Sequence, residues 1–114
     1  MLTCREKDIK TILINTAKKR QTITYSQLIQ KCKQKEKQIN RFSLVKLLHN
    51  ICKETFKQHG FMLGALVVSK KDKIPSEGFF KLASKLYNIS FETQEEKLLF
   101  WKKQLEKIYK EIKD

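Results

Sequence analysis

Ser43, Lys46, Asn50, Lys53 and Lys57 recur every three or four residues within RFSLVKLLHNICKETFK, and Arg41 stands just before them. On a helix that spacing puts them on one face. The side-chain types share one chemistry. An arginine can fork onto the O6 and N7 of guanine, an asparagine can pair with the N6 and N7 of adenine, and a lysine can meet guanine or a phosphate. The flanking segments supply more cations: Lys18, Lys19 and Arg20, then Lys31, Lys33, Lys35 and Lys37, and later Lys70, Lys71 and Lys73. Such residues neutralise phosphates, which positions a protein on a nucleic acid without reading its sequence. The plainer alternative is a solvated basic face. One arginine in the reading segment is thin for base recognition.

Other chemistries find less support. His49 and Cys52 stand three apart, but no CxxC pair or HExxH motif exists. Cys32 and Cys52 fall on apolar faces and read as core, so no metal or other cofactor is expected. His49 and His59 have no Ser, Cys or carboxylate partner at a recognisable spacing. Glu77 sits in the distinctive PSEGFF, where its simplest role is to stabilise a helix N-terminus. Trp101 with Phe79, Phe80 and Phe100 reads as core before it reads as a binding surface. The expectation is a non-enzymatic protein.

The charge balance agrees with that order. The chain carries 25 Lys and Arg against 12 Asp and Glu, a formal net charge of +13. Residues 1–60 hold fourteen of the cations and four of the acids, and residues 61–114 hold eleven and eight. Twenty-two of the cations are Lys, a bias that AT-rich codons also produce, but codon bias alone predicts an even spread. The basic half is therefore the half expected to meet a polyanion. Cys4, Cys32 and Cys52, odd in number and scattered, make a poor disulfide framework and read as reduced thiols. MLTCREKDIK puts charge where a leader would need an apolar run, so a cytoplasmic protein is expected, with no membrane span.

The elements that must position these residues follow from periodicity and caps. A first helix is expected after Thr3, with TCRE as a capping box and Ile9, Ile12, Leu13, Thr16 and Ala17 inward. TITY reads as a short strand, and Thr24 with Gln27 caps a second helix that buries Leu28, Ile29 and Cys32. KQKEKQIN reads as a polar connector. Asn40 then caps a long helix ending near His59 at Gly60, with Phe42, Val45, Leu48, Cys52 and Phe56 on its apolar face. ALVV reads as a buried strand, residues 70–73 as an exposed turn, and Ile74 as a short return strand ended by Pro75. Ser76 caps a fourth helix, in which Gly78 suggests a close approach. TQEE caps a fifth, striped by Leu98, Trp101, Leu105, Ile108 and Ile112.

ITYSQLIQKC resembles the TYGELA-type opening of the winged-helix domain in methylguanine–DNA methyltransferases and alkyltransferase-like proteins. The resemblance covers about ten residues and lacks the PCHR active-site motif. It implies a shape and a DNA-binding mode, not the repair activity. LGALVVSKKDKIPSEGFF with FWKKQLEKIY resembles small bacterial proteins patterned L-S-A-L-V-V, a turn, P-G-x-G-F-F or F-W, and a C-terminal F-W…E…Y helix. Gly64 stands where that pattern has Ser, and Ser76 where it has the first Gly. No catalytic residue carries over.

The expected fold is α+β, mainly α with a small β-hairpin. It is a single winged-helix-like domain over 1–114: a basic helical half at 1–60, a β wing at 61–75 and C-terminal helices at 76–114. The partner expected is duplex DNA, bound by the third helix and its lysines, to a monomer or to a dimer through the last helix. The competing expectation is a protein-interaction module, such as a phage or mobile-element inhibitor of a host enzyme.

Overall fold

The computed structural model describes residues 2–113. Five α-helices carry most of the chain, joined by four two-residue strands in two separate parallel pairs. The α+β composition and the predominance of helix agree with the sequence.

The first helix, α1, is Glu6–Lys18, and it starts later than expected. Thr3 does not cap it. Leu2–Thr3 form strand β1, which pairs in parallel with β3, Lys37–Gln38, inside the supposed polar connector. The Cys4 amide continues that pairing to the Gln38 carbonyl at 2.9 Å. With Thr3 held in a strand, the cap passes to Arg5, whose amide donates to the Asp8 carboxylate at 2.8 Å. The inner row Ile9, Ile12, Leu13, Thr16 and Ala17 is buried as its spacing requires. The buried Thr16 hydroxyl donates back to the Ile12 carbonyl. Arg20 then turns the chain at φ 56°, with its amide on Ala17 and that of Gln21 on Thr16, a Schellman-type close.

The second helix, α2, is Tyr25–Gln34, and its capping box forms as written in the sequence: Gln27 N donates to Thr24 Oγ1, and Thr24 N to Gln27 Oε1. Strand β2, Ile23–Thr24, pairs in parallel with β4, Val67–Val68. The third helix, α3, is Arg41–His59, capped by Asn40 through Ser43 N and closed by Gly60 at φ 79°. Its buried row is Leu44, Leu48, Ile51, Cys52 and Thr55. Phe42 is not on that face: it is 75% exposed.

Between α3 and β4 the chain is buried from Phe61 to Val68, but only Val67–Val68 is strand. Leu63–Leu66 forms a 3-10 turn. Gly64 lies within that turn. A Cβ on it would lie 2.5 Å from the Cys52 sulfur of α3, so the turn rests directly on that helix. Backbone groups buried outside a sheet need other partners. Met62 N donates to Gln104 Oε1 at 2.7 Å, Leu63 N to Thr55 Oγ1 at 3.1 Å, and the Ala65 carbonyl accepts from Trp101 Nε1 at 2.8 Å.

The hairpin expected over 61–75 does not form. Val67–Val68 pairs with β2, and Ile74 is no strand. A tight loop replaces the wing, closed by Ser69 N on the Ile74 carbonyl and Lys73 N on the Ser69 carbonyl, with Lys73 at φ 59°. Pro75 then has no amide to extend a return strand.

The fourth helix, α4, is Glu77–Tyr87, and the fifth, α5, is Gln94–Glu111. Ser76 stands at the head of α4, but its hydroxyl is the partner of the Tyr25 phenol at 3.0 Å rather than a cap. Gly78 faces the His49 ring, whose Nε2 would lie 3.6 Å from an added Cβ. That is ordinary contact, so the demanding glycine is Gly64. Thr93 caps α5 through Glu96 N, while the Glu96 carboxylate reaches Glu92 N. Ile108 is the buried residue of the expected stripe, and Leu98, Trp101, Leu105 and Ile112 are half-buried. Phe79 and Phe80 are buried and meet Phe91, Phe100 and Tyr87 in a chain of edge-to-face rings, the core role their pattern suggested.

Candidate nucleic-acid interface

Because Leu44, Leu48, Ile51, Cys52 and Thr55 face the core, the opposite side of α3 faces solvent. It presents Phe42, Lys46, Asn50, Lys53 and Lys57, all exposed, at steps of four, four, three and four. At 1.5 Å per residue the row is about 22 Å long. It contains no carboxylate. Glu54, the one acid of α3, turns aside and is ion-paired with Lys10 of α1.

The two remaining α3 residues expected at the interface are placed differently. Ser43 lies at the edge of the row, half-buried. Arg41 is exposed, but its guanidinium stacks over the Tyr25 ring at 4.4 Å. Tyr25 therefore ties the head of α3 to the head of α2. Thr24, just before it, pairs with Val68, and Val68 leads into the loop that carries Lys70 and Lys71. These links gather the starts of α2 and α3 and the Lys70–Lys71 loop into one neighbourhood.

The other lysines divide. Lys33 and Lys35 are exposed at the end of α2. Lys37 is not free, because β3 brings its ammonium to 2.8 Å from Asp8. That contact, more than any other, holds the Asp8 carboxyl below its usual range. Lys37 is thus paired and half-buried, where Lys33 and Lys35 are exposed. Between α1 and α2 lies an open cleft of about 510 Å³ whose walls include Asn15, Lys19, Gln30, Lys31 and Lys35 and no acid.

The metal and catalytic possibilities also meet their surroundings. The Cys52 thiol is packed against Gly64 and burial pushes it up to about 12. Cys32 is likewise pushed up to about 12, first by burial and then by the neighbouring Cys4 thiol. Both are protonated core thiols at neutral pH. Burial, and secondarily Lys53, lowers the pKa of His49, which rests against Gly78. His59 pairs with Glu111 at 3.1 Å, and Glu77 with Lys97 at 3.0 Å. Among the described residues no three His, Cys, Asp or Glu side chains converge as a metal site, and no helix is long and apolar enough to cross a membrane.

Sequence reasoning missed Phe42, which it put on the apolar face. The signal was available: Phe42 precedes Lys46 by four and Asn50 by eight, the spacing of the polar row itself. It missed the Arg41–Tyr25 stack, for which no local pattern exists. Comparison of the chain with protein-family models, curated proteins and solved structures returns no match.

Proposed function

We propose that this chain is a non-enzymatic nucleic-acid-binding protein that lays the exposed row of α3 on duplex DNA. The observation that carries the reading is that row: Lys46, Asn50, Lys53 and Lys57 on one solvent face, free of acids, with the helix's own carboxylate drawn off to Lys10. Cations on a surface with no opposing carboxylate repel one another. They become favourable when phosphates replace their counterions, and that release drives binding. Asn50 is the group in the row suited to a base edge, and Lys46 can meet guanine or a phosphate. Lys70 and Lys71, on the loop where a wing would stand, and Lys33 and Lys35 add backbone contacts that position the protein.

The test is fluorescence anisotropy on labelled duplex DNA across a salt series, comparing the native protein with the Lys46→Ala, Asn50→Ala, Lys53→Ala triple variant. All three positions are exposed, so the variant should melt like the parent. Its affinity should fall, and the slope of log affinity against log salt should drop by roughly 2, about 0.9 for each lost phosphate contact. Unchanged affinity and slope would remove this surface, and a single nuclease-resistant protein partner in a pulldown would then favour the docking role.

A further inference from the structure

Phe42 is the most exposed of the large apolar residues among those described, at 75% against 69% for Leu2, 56% for Leu99 and 40% for Ile89, and it is the one aromatic among them. It takes no part in the hydrophobic core. Scattered surface apolar residues are common. Phe42 differs in its setting, because it heads the cationic row. The Lys46 ammonium lies over its ring at 5.9 Å from the centroid. Its neighbour Arg41 is engaged with Tyr25 and does not cover it. An accessible aromatic face beside lysines is what binds a base in proteins that hold unpaired strands: the ring stacks on the base while cations follow the backbone.

We infer that Phe42 is a stacking platform for one unpaired base, so that the favoured ligand of α3 is duplex DNA interrupted by a short single-stranded gap. This rests on the nucleic-acid reading given above. Two features select a gapped duplex over a long single strand. Proteins that track single strands stack successive bases on several aromatic residues, whereas this row offers one ring followed by lysines and an asparagine over about 22 Å. Drawing a base out of an intact stack is costly, and the cost is least where the base is already unpaired. One ring suits one such base, with paired DNA on the lysines.

Affinity would be measured by anisotropy at physiological salt for an intact duplex and for the same duplex with a five-nucleotide gap, with 2-aminopurine in the gap to report stacking. The native protein should bind the gapped duplex about tenfold more tightly, at the low end of what one stacked base supplies, and should change the 2-aminopurine emission. Phe42→Ser should bring the gap-to-duplex ratio close to one and abolish the emission change, and Phe42→Tyr should keep both. Circular dichroism melting of each variant confirms that the fold is intact. The inference is overturned if the native protein binds duplex DNA with no preference for the gap, or if Phe42→Ser keeps the preference. If the native protein binds neither ligand, or if the triple variant at Lys46, Asn50 and Lys53 binds both as well as the parent, the nucleic-acid reading itself fails and this inference with it.

Discussion

Gly64 shows how one missing atom can set how closely two segments pack. Its added Cβ would sit 2.5 Å from the sulfur of Cys52, and both residues are buried. The glycine is kept by close approach, not by backbone angle. Gly64→Ala should therefore destabilise the protein by about 1–3 kcal/mol, the usual cost of overfilling a packed core. Adding Cys52→Ala removes the obstructing sulfur, so the double variant should recover part of the loss. Urea denaturation of the parent, both singles and the double measures this, and strictly additive effects would mean that the two positions do not compete for space. In the sequence this glycine stands just before the expected ALVV strand, and nothing there shows what lies against it. Cys52 is twelve residues away on another element, and no periodicity reports on that contact.

At the scale of elements, short-range signals were the reliable ones. The caps at Thr24, Asn40 and Thr93 formed, because each needs only a side chain and an amide three residues on. Thr3 had the same local pattern and lost to a longer-range competitor, the pairing of β1 with β3. The hairpin failed for a related reason, since β4 pairs with β2, more than forty residues earlier in the chain. The last helix holds an element-scale device that sequence reading passed over. Gln104, 2% exposed, accepts from Met62 N and donates to the Tyr87 hydroxyl, which in turn donates to the Gly60 carbonyl. One polar side chain of α5 thus satisfies the chain just after α3. Gln104→Leu keeps the apolar character of the interior but leaves the Met62 amide unpaired. It should cost about 1–3 kcal/mol, read as a lower midpoint in chemical denaturation. A neutral result would mean that water replaces the glutamine.

At the scale of the whole molecule, the described residues share one core. Residues from α1, α3, the 3-10 turn, α4 and α5 meet in it, and the radius of gyration, 13.5 Å, is close to the roughly 13 Å of a compact domain of this length. That core must hold together a formal charge of +13. The described residues form four ion pairs, none of them deeply buried, and such pairs contribute little each. Self-repulsion should therefore outweigh them at low ionic strength. Raising sodium chloride from about 10 mM to about 150 mM shortens the screening length from about 30 Å to about 8 Å. The melting temperature followed by circular dichroism should rise by several degrees. A fall would show that the ion pairs outweigh the repulsion.

The sequence by itself determined the helices, the caps at Thr24, Asn40 and Thr93, the stop at Gly60, the uneven placement of charge, and the row of polar residues on α3. All of these arise from neighbours within a turn or two, where spacing and side-chain chemistry are sufficient. Only the tertiary structure decided that Phe42 faces solvent, that Lys37 belongs to Asp8 and Arg41 to Tyr25, that Gly64 rests on Cys52, and that the short strands pair in parallel instead of folding into a wing. Those outcomes depend on which distant segments compete for the same space and the same backbone groups. That competition is resolved only when the whole chain packs.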